Sequence, residues 1–443
     1  MSFLRFAIVL AVIAGIAAGR SVAHRFGRVA RSPGPNVVLI VMDTTRADRC
    51  SFLGYARPTT PRLAELAKSS TVFTDAWAPC CWTGPSHASL FTGLSPRNHG
   101  LQDGIRLYLA PEATTLAERF KDAGWRTACF SNNDVVSPQF GLTQGFDLLD
   151  AAYRHPSRPY PFATESHEKA LEWATSKDAD GKPFFLFIND MEPHLAYAPP
   201  AEMAAKFVRG EPSADELTEA RRFQFPWSVG FNLGVVDVTP KQIALLSDLY
   251  DAEIATLDAE IGRLLDGLEA AGMLENTIVV ITADHGEYLG EHHRLGHTFG
   301  LHRTVLRVPL LVRFRGRFDG GRQVSDLVRL EDVAPTLLEL CGVAVPPDLD
   351  GKSLTSDLPG RIANAEFGTQ ERYIPEIRRT FKDADLTMFT TTIRSWRDGR
   401  LHYIKDSTGR EELYDVVADP AEAIDLAPGG GPGLERMRKL AEE

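Results

Sequence analysis

Two short acidic motifs lie far apart in this sequence, and each follows an apolar run. Asp43 follows Asn36–Met42 (NVVLIVM), and Asp284-His285 follows Thr277–Thr282 (TIVVIT). Alone, a carboxylate at a strand end is either a metal ligand or a cap for the next turn, and Asp-His-Gly is also acceptable turn chemistry. Because two acidic strand ends occur together, we favour a metal site formed by Asp43, Asp284 and His285.

A hydroxyl group stands at the start of a predicted helix between these motifs. Thr83-Gly84-Pro85 opens the stretch TGPSHASLFTG, and proline is favoured in the first turn of a helix. In one interpretation, Thr83 only begins that helix. In the other, it is a nucleophile at a helix N-terminus, where free N–H groups attract an anion. A threonine hydroxyl needs metal coordination to attack at neutral pH. The second interpretation therefore predicts cleavage or transfer of an oxyanion ester by a metal-bound Thr83.

Strands that alternate with helices must position these residues. The apolar runs that predict strands are Asn36–Met42, 184–188, Thr277–Thr282 and 309–314, and helical periodicity covers 113–123 and 242–271. This alternation predicts an α/β fold, a three-layer α/β/α sandwich with a large, mostly parallel sheet. Ligands of such sheets bind at the carboxyl ends of the strands. Asp43, residues 189–194 and Asp284 fall there.

The C-terminal region predicts a small antiparallel α+β subdomain. Residues 391–404 and 412–417 have strand character, with a turn at Arg397-Asp398-Gly399. We therefore expect three parts: an N-terminal segment at 1–35, a catalytic domain at 36–345, and a C-terminal subdomain at 346–443 that packs on it.

Charge and cysteine content exclude several classes of function. The chain of 443 residues carries a net charge of −11, which argues against a nucleic-acid partner. Its five cysteines are scattered, so they predict neither a disulfide framework nor a zinc site, and a single bridge in an exported protein stays an alternative. We expect them to be small buried apolar residues.

The N-terminal residues look like the core of a secretory signal. Residues 6–18 are apolar, with Arg5 before them, and are shorter than the span of about 20 residues that crosses a membrane comfortably. Four arginines follow, which oppose translocation of that flank. We predict an exported protein, periplasmic or extracellular, whose segment 6–18 is either cleaved as a signal peptide or kept as a membrane anchor.

Several motifs, in one order, resemble the sulfatase family of the alkaline phosphatase superfamily. They are NVVLIVMDTTRAD, WTGPSHASLFTGLSPRNHG, FFLFINDMEPHLAYAPP, TADHGEYLGEHHRLGH, LRVPLLVRF, LEDVAPTLLELCGV and ELYDVVADP, and they span nearly the whole chain after the N-terminal segment. The resemblance implies an alkaline-phosphatase-like fold and a metal-dependent ester hydrolase.

The resemblance also assigns roles to individual residues. Asp43, Asp284 and His285 match metal ligands, and Thr83 matches a nucleophile that is itself metal-bound. The histidine of MEPH, His194, matches a residue that binds the substrate oxyanion or acts as an acid or base, and His297 aligns near a substrate-contacting Lys or His. Two further residues, His87 and Asn189, are assigned to substrate binding.

This chain departs from the family pattern at the nucleophile. Sulfatases that form an aldehyde nucleophile carry Cys or Ser at the head of a Cys-x-Pro-x-Arg motif, but here Thr83 and His87 take the first and last positions. Threonine cannot become formylglycine. Members with a threonine nucleophile are mostly phosphodiesterases or phospho-group transferases.

A second departure concerns the metal. Thr44 stands where many sulfatases place another metal-binding Asp, and His285 supplies nitrogen, so one Zn or Mn ion suits the site better than Ca, which stays an alternative. Asp190 and His194 could hold a second metal with another histidine, although a solvated loop position for Asp190 is favoured.

The leading hypothesis is a hydrolase of a sulfate or phosphate ester. Its substrate could be a small molecule, a glycan or a lipid. One alternative is a transferase that moves a phosphorylated head group onto an envelope glycan or lipid. Another is a non-catalytic protein that binds a sulfated or phosphorylated glycan.

Overall fold

A computed structural model describes residues 34–102, 104–154, 162–176 and 181–442. The predicted signal or anchor at 6–18 lies outside these ranges and stays a prediction. Searched over the described residues, the chain has no helix that is long and apolar enough to cross a membrane. Residues Pro35–Glu443 form one compact unit.

Fifteen strands, numbered in chain order, lie in the described ranges. They are β1 Asn36–Met42, β2 Thr71–Trp77, β3 Arg126–Ser131, β4 Leu148–Ala151, β5 Phe184–Asp190, β6 Thr277–Thr282, β7 Tyr288–Leu289, β8 Leu295–Gly296, β9 Arg307–Arg313, β10 Arg322–Val324, β11 Val328–Arg329, β12 Ala363–Phe367, β13 Ile393–Arg397, β14 Leu401–Asp406 and β15 Glu411–Asp415.

The α-helices of the same ranges are numbered in the same way. They are α1 Pro61–Ala67, α2 Thr83–Thr92, α3 Pro96–His99, α4 Leu116–Asp122, α5 Phe162–Ala174, α6 Ala201–Phe207, α7 Ala214–Ala220, α8 Trp227–Asn232, α9 Pro240–Ala270, α10 Arg303–Leu306, α11 Val333–Leu340, α12 Ile374–Thr380, α13 Thr387–Thr390 and α14 Pro432–Leu440.

The main sheet has nine strands and is mostly parallel. Its order is β10-β2-β9-β6-β1-β5-β3-β4, and β11 also pairs with β2. Strand β1 lies between β5 and β6 and runs parallel to both. The exception is β9, which is antiparallel to β2 and to β6. The predicted run at 309–314 is therefore a strand, but not a parallel one.

Strand β1 shows why the sheet needs helices on both faces. Its apolar residues alternate between two separate cores: Val37, Leu39 and Val41 lie in one, and Val38 and Ile40 lie in the other. Side chains alternate across a strand, so a run without polar residues buries both faces. We call these the odd face and the even face of the sheet, after the residue numbers of β1.

Helices from different parts of the chain cover the two faces. Helix α2 packs on the odd face with Leu90 and Phe91, and α9 packs on the even face with Leu249 and Leu257. Helix α9 begins with a capping box in which Thr239 accepts the backbone N–H of Gln242, which stabilises its start. The predicted three-layer α/β/α fold is confirmed.

The predicted antiparallel C-terminal sheet is also confirmed. It has four strands in the order β12-β13-β14-β15, so β12 adds to the strands that the sequence indicated. Helix α14 packs on it, with Leu434 and Met437 against Tyr403 and Leu413. The boundary between a catalytic domain and a subdomain at 345/346 stays a prediction.

A buried ion pair joins the C-terminal sheet to the main sheet. Arg397 on β13 donates to both carboxylate oxygens of Asp75 on β2, at 2.7 and 2.6 Å. Its guanidinium also lies over the ring of Trp77, with 4.6 Å to the ring centroid. The Arg397 side chain is 3% exposed and that of Asp75 is 16% exposed. The pair therefore anchors one sheet to the other.

Replacing Arg397 with alanine is expected to lower the free energy of unfolding by about 3 kcal/mol, because the Asp75 carboxylate keeps its burial and loses its partner. Chemical denaturation monitored by circular dichroism measures this change. The control is Arg394→Ala on the same strand, since the Arg394 side chain is 52% exposed. Equal destabilisation by both substitutions would contradict an anchoring role for the pair.

Candidate active site

The site lies at the carboxyl ends of strands β1, β3, β5 and β6. Asp43 follows β1, and Asp284 and His285 follow β6. Because β1 is central in the sheet and its neighbours run parallel to it, strand ends separated by about 240 residues of sequence meet at one edge. Thr83 arrives from α2, which covers the odd face of the sheet.

Asp43, Asp284 and His285 form the predicted cluster. They offer ligand atoms that all lie within 4.8 Å of one another, and all three residues are fully buried. Among the described residues, this is the one cluster of His, Cys, Asp and Glu with metal-binding spacing. Asp43 Oδ1, Asp284 Oδ2 and His285 Nε2 are buried without a hydrogen-bond partner in the described chain. Buried acceptors left unpaired are costly, so the donor set fits a divalent cation.

Backbone groups orient the cluster. Asp284 Oδ1 accepts the backbone N–H of Thr44 at 3.2 Å and that of His285 at 2.9 Å. The Nδ1–H of His285 donates to the carbonyl oxygen of Gly286 at 3.0 Å, which leaves the Nε2 lone pair for a ligand. Burial, and then the nearby His297, lower the pKa of His285, so its ring is neutral. Burial and the Asp43 carboxylate raise the pKa of Asp284.

Thr44 supports the cluster rather than joining it. Its side chain donates to the carbonyl oxygen of Pro193 at 2.8 Å, while its backbone N–H holds Asp284. Its φ of 57° is in the left-handed region, which is strained for a β-branched residue. The position that carries a metal-binding Asp in many sulfatases thus carries a residue that positions Asp284.

Helix α2 presents Thr83 to the cluster. Thr83 is its first residue and Trp82 is its extended N-cap. Gly84 permits this geometry, since a Cβ there would lie 2.7 Å from the Trp82 ring and 2.9 Å from Leu101. The helix N-terminus therefore directs free N–H groups and a positive dipole end to the space around the Thr83 hydroxyl.

Asn133 joins Thr83 to the cluster, and the sequence reasoning missed it. Its Nδ2 donates to Asp43 Oδ2 at 2.7 Å and approaches Thr83 Oγ1 at 3.4 Å. Asn133 follows strand β3, which was not predicted. The signal was present, because two adjacent amides, Asn132 and Asn133, follow an apolar segment, as Asp43 does.

The two predicted substrate-binding residues, His87 and Asn189, lie against the cluster. His87 is one turn along α2 from Thr83, and its Nδ1 lies 3.0 Å from the Thr83 carbonyl oxygen and 3.5 Å from Asp284 Oδ2. Asn189 Nδ2 donates to Asp43 Oδ2 at 3.2 Å and to His87 Nε2 at 3.4 Å. Burial lowers the pKa of His87, so a neutral ring stands where the family motif has an arginine.

His194 and His297 lie together beside the cluster. Their ring centroids are 5.2 Å apart, and His297 is 4.5 Å from the ring of His285. The Nδ1–H of His194 donates to the Leu195 carbonyl oxygen at 2.7 Å. Glu287 accepts from His297 Nδ1 at 3.1 Å, so this glutamate positions His297. The sequence reasoning assigned no role to Glu287.

Asp190 is not the solvated loop residue that we expected. It is the last residue of β5, is fully buried, and projects to the even face, opposite Asn189. Its carboxylate binds His167 Nε2 at 3.0 Å and accepts from Asn132 Nδ2 at 3.2 Å. Burial acts to lower the pKa of His167, but the Asp190 charge outweighs burial, so the pKa is raised. These partners occupy Asp190, so the structure does not support a second metal between Asp190 and His194.

A cavity of about 620 Å³ opens onto the site, and Thr83, Asn133, His194 and His297 line it. A cavity of this size is typical for a small-molecule ligand. All five cysteines are buried, as predicted, and they are unpaired with one another.

Two family models match the sequence of this protein. The family model described as Sulfatase matches residues 35–343. A second model, described as N-sulphoglucosamine sulphohydrolase, C-terminal, matches residues 290–429.

Similar proteins cover most of the chain. Arylsulfatase K of Canis lupus familiaris is 25% identical over 443 aligned residues, which cover 91% of this chain and 81% of that protein. Ulvan-active sulfatase of Formosa agariphila is 27% identical over 441 residues, which cover 91% and 79%. The phosphonate monoester hydrolase of Agrobacterium radiobacter superposes with a TM-score of 0.73 at 22% identity, covering 92% of this chain and 94% of that one. With a family model that matches well over half of its residues, the protein belongs to the sulfatase family of the alkaline phosphatase superfamily and is a hydrolase acting on sulfuric or phosphoric esters.

Proposed function

We propose that the protein hydrolyses a sulfate or phosphate ester through the Thr83 hydroxyl, with one divalent metal ion held by Asp43, Asp284 and His285. One observation carries this proposal. The amide of Asn133 donates to Asp43 and also lies 3.4 Å from Thr83 Oγ1, so it holds the hydroxyl beside the ligand cluster. A threonine in a merely structural helix start has no need for such a link.

Residues of the proposed site perform each step of the reaction. Thr83 Oγ1 attacks the sulfur or phosphorus atom of the ester. The bond between this sulfur or phosphorus and the alcohol oxygen then breaks. Free N–H groups at the start of α2 stabilise the charge on the transferring group. The cavity histidines carry the proton of Thr83 to the departing alcohol. Water, deprotonated by His194, then hydrolyses the Thr83 ester and restores the hydroxyl.

A divalent ion in this cluster would lower the pKa of the Thr83 hydroxyl and neutralise developing negative charge. Two carboxylates with one imidazole are a donor set that suits Zn or Mn, whereas Ca prefers oxygen ligands alone. We therefore propose Zn or Mn as the native ion. Since threonine cannot form an aldehyde, the proposed covalent intermediate is an ordinary ester of Thr83.

The experiment is an assay of the purified protein against nitrophenyl sulfate, nitrophenyl phosphate, bis-nitrophenyl phosphate and a nitrophenyl phosphonate. We expect turnover of at least one ester with Zn or Mn, slower turnover with Ca, and none after chelation. Inactivity with every ester and metal would favour the binding-protein alternative. Faster release of nitrophenol in the presence of an alcohol, with the transfer product formed, would favour the transferase.

A further inference from the structure

The residues that line the cavity above Thr83 indicate which organic group the substrate carries. Three segments contribute apolar side chains to its wall: Val135 and Phe140 follow β3, Phe225 and Val229 lie just before and within α8, and Tyr373 precedes α12. These side chains are apolar or aromatic, and none belongs to the metal cluster. An ester bound at Thr83 has its alcohol portion in this space.

The charges around the cavity do not suit a polyanion. Among the described residues that line it, the acidic and basic side chains other than histidine are Asp134, Glu287 and Arg372. Glu287 binds His297 and accepts from the hydroxyl of Tyr197. A substrate with several sulfate groups would need several cations beyond the reacting centre, but the lining offers one arginine against two carboxylates.

Aromatic side chains line the cavity at both buried and exposed positions. Phe299 and Phe389 pack edge to face at 4.8 Å and are buried. At the mouth, the rings of Phe225 and Tyr373 are 5.2 Å apart, and Phe225 is 40% exposed. Aromatic faces and edges favour contact with other rings.

The volume of the cavity sets the size of the group. A cavity of about 150 Å³ is enough to hold one benzene molecule, whereas this cavity measures about 620 Å³. The space therefore exceeds that of a single ring, even after the reacting sulfate or phosphate is allowed for.

We propose that the substrate is the ester of an uncharged aromatic alcohol with two or more rings, which lies between Phe140, Val229 and the Phe225–Tyr373 pair. This inference rests on the proposed function, because it places the reacting group at Thr83. It excludes a polysulfated glycan as the preferred substrate.

Binding of non-hydrolysable phosphonates tests the proposal without dependence on turnover. We would titrate the full-length protein, loaded with Mn, by calorimetry with methylphosphonate, benzylphosphonate and naphthylmethylphosphonate, which carry the same charge. The expected dissociation constants fall in that order, by about tenfold or more from methyl to benzyl and again on addition of the second ring. A disaccharide sulfated at two positions should bind more weakly than benzylphosphonate.

One variant at the mouth and one outside the cavity locate the effect. Phe225→Ser should weaken binding of naphthylmethylphosphonate by roughly 3- to 10-fold and leave methylphosphonate unchanged. Trp227→Ser is the matched control, because Trp227 is 46% exposed and packs on Phe381 outside the cavity lining. It should change neither constant.

Several results would overturn the inference. They are equal affinity for the three phosphonates, no gain from the second ring, tighter binding of the disulfated disaccharide, or an equal effect of both variants. Failure of the proposed function is a separate outcome. In that case no ester would be hydrolysed with any metal, while the order of phosphonate affinities would still report on the cavity.

Discussion

Replacement of Thr83 by alanine is expected to lower kcat by about 10⁴-fold or more, since loss of a nucleophile removes the covalent pathway. Bound metal should stay close to the level of the unchanged protein. Asp43, Asp284 and His285 remain in place, and alanine is a good helix former at this position. Steady-state kinetics on the best ester, together with elemental analysis of bound metal, measure both effects.

The control for this experiment is Thr83→Ser. It keeps a hydroxyl at the first position of α2 and should retain a measurable part of the activity, with a covalent ester detectable by mass spectrometry after rapid quenching. If Thr83→Ala retains full activity, Thr83 is not the nucleophile. If it loses metal as well as activity, the hydroxyl contributes to metal affinity more than the three-ligand cluster predicts.

Replacement of Asp284 by asparagine should weaken metal binding by about 10²-fold or more. Loss of a group that only orients a ligand weakens metal affinity by about 10- to 100-fold, and loss of a ligand should have a larger effect. Asp284 Oδ2 is one of the three unpaired buried acceptors, and the substitution removes its charge. Activity should fall with metal content. Competition with a fluorescent chelator measures the affinity, and differential scanning calorimetry measures the stability.

The control is Asp258→Asn. Asp258 is also buried, and it accepts the backbone N–H groups of Arg62 and Leu63 at the start of α1, away from the cluster. This substitution should lower Tm and leave metal affinity unchanged. Equal losses of metal affinity in the two variants would show that general destabilisation, and not the Asp284 charge, explains the effect.

The metal should stabilise the protein more at high pH than at low pH. Burial and the Asp43 charge raise the pKa of Asp284 in the metal-free protein. The stability associated with that shift is present below the unfolded-state pKa of about 4 and is lost as pH rises through the folded-state value. At high pH, a bound cation offsets this loss of stability. At low pH, protons compete with the cation for the ligand atoms. The increase of Tm on metal addition should therefore be larger at pH 8 than at pH 5, and a pH-independent increase would contradict this account.

The main features of the site were predictable because they follow from one rule, that ligands meet at the carboxyl ends of buried parallel strands. Strands β1 and β6 contain unbroken apolar runs, so the positions of Asp43 and Asp284 after them could be predicted from the sequence. Asn133 was missed because β3 contains Arg126, Thr127 and Ser131 and so does not form a clear apolar run. Asp190 was misplaced because β5 continues for two polar residues beyond its apolar run.

Other elements depend on tertiary partners that a local pattern does not contain. Strand β2 includes Asp75, whose partner, Arg397, lies 322 residues further along the chain. Glu287 gains its role from His297, Tyr197 and the backbone of Leu195. The lengths of the predicted helices were close but not correct: the stretch at 113–123 narrows to Leu116–Asp122, and that at 242–271 becomes Pro240–Ala270.

The position of β1 also bears on how the polypeptide reaches its native state. It is the earliest strand of the described chain, yet its two neighbours, β5 and β6, begin at Phe184 and Thr277. A growing chain therefore leaves this largely apolar strand without either neighbour until β5 has been made, and with one edge open until β6 has been made. Late pairing of this kind slows folding and invites aggregation. We expect the nascent protein to depend on chaperone protection of residues 36–42 until β6 has emerged.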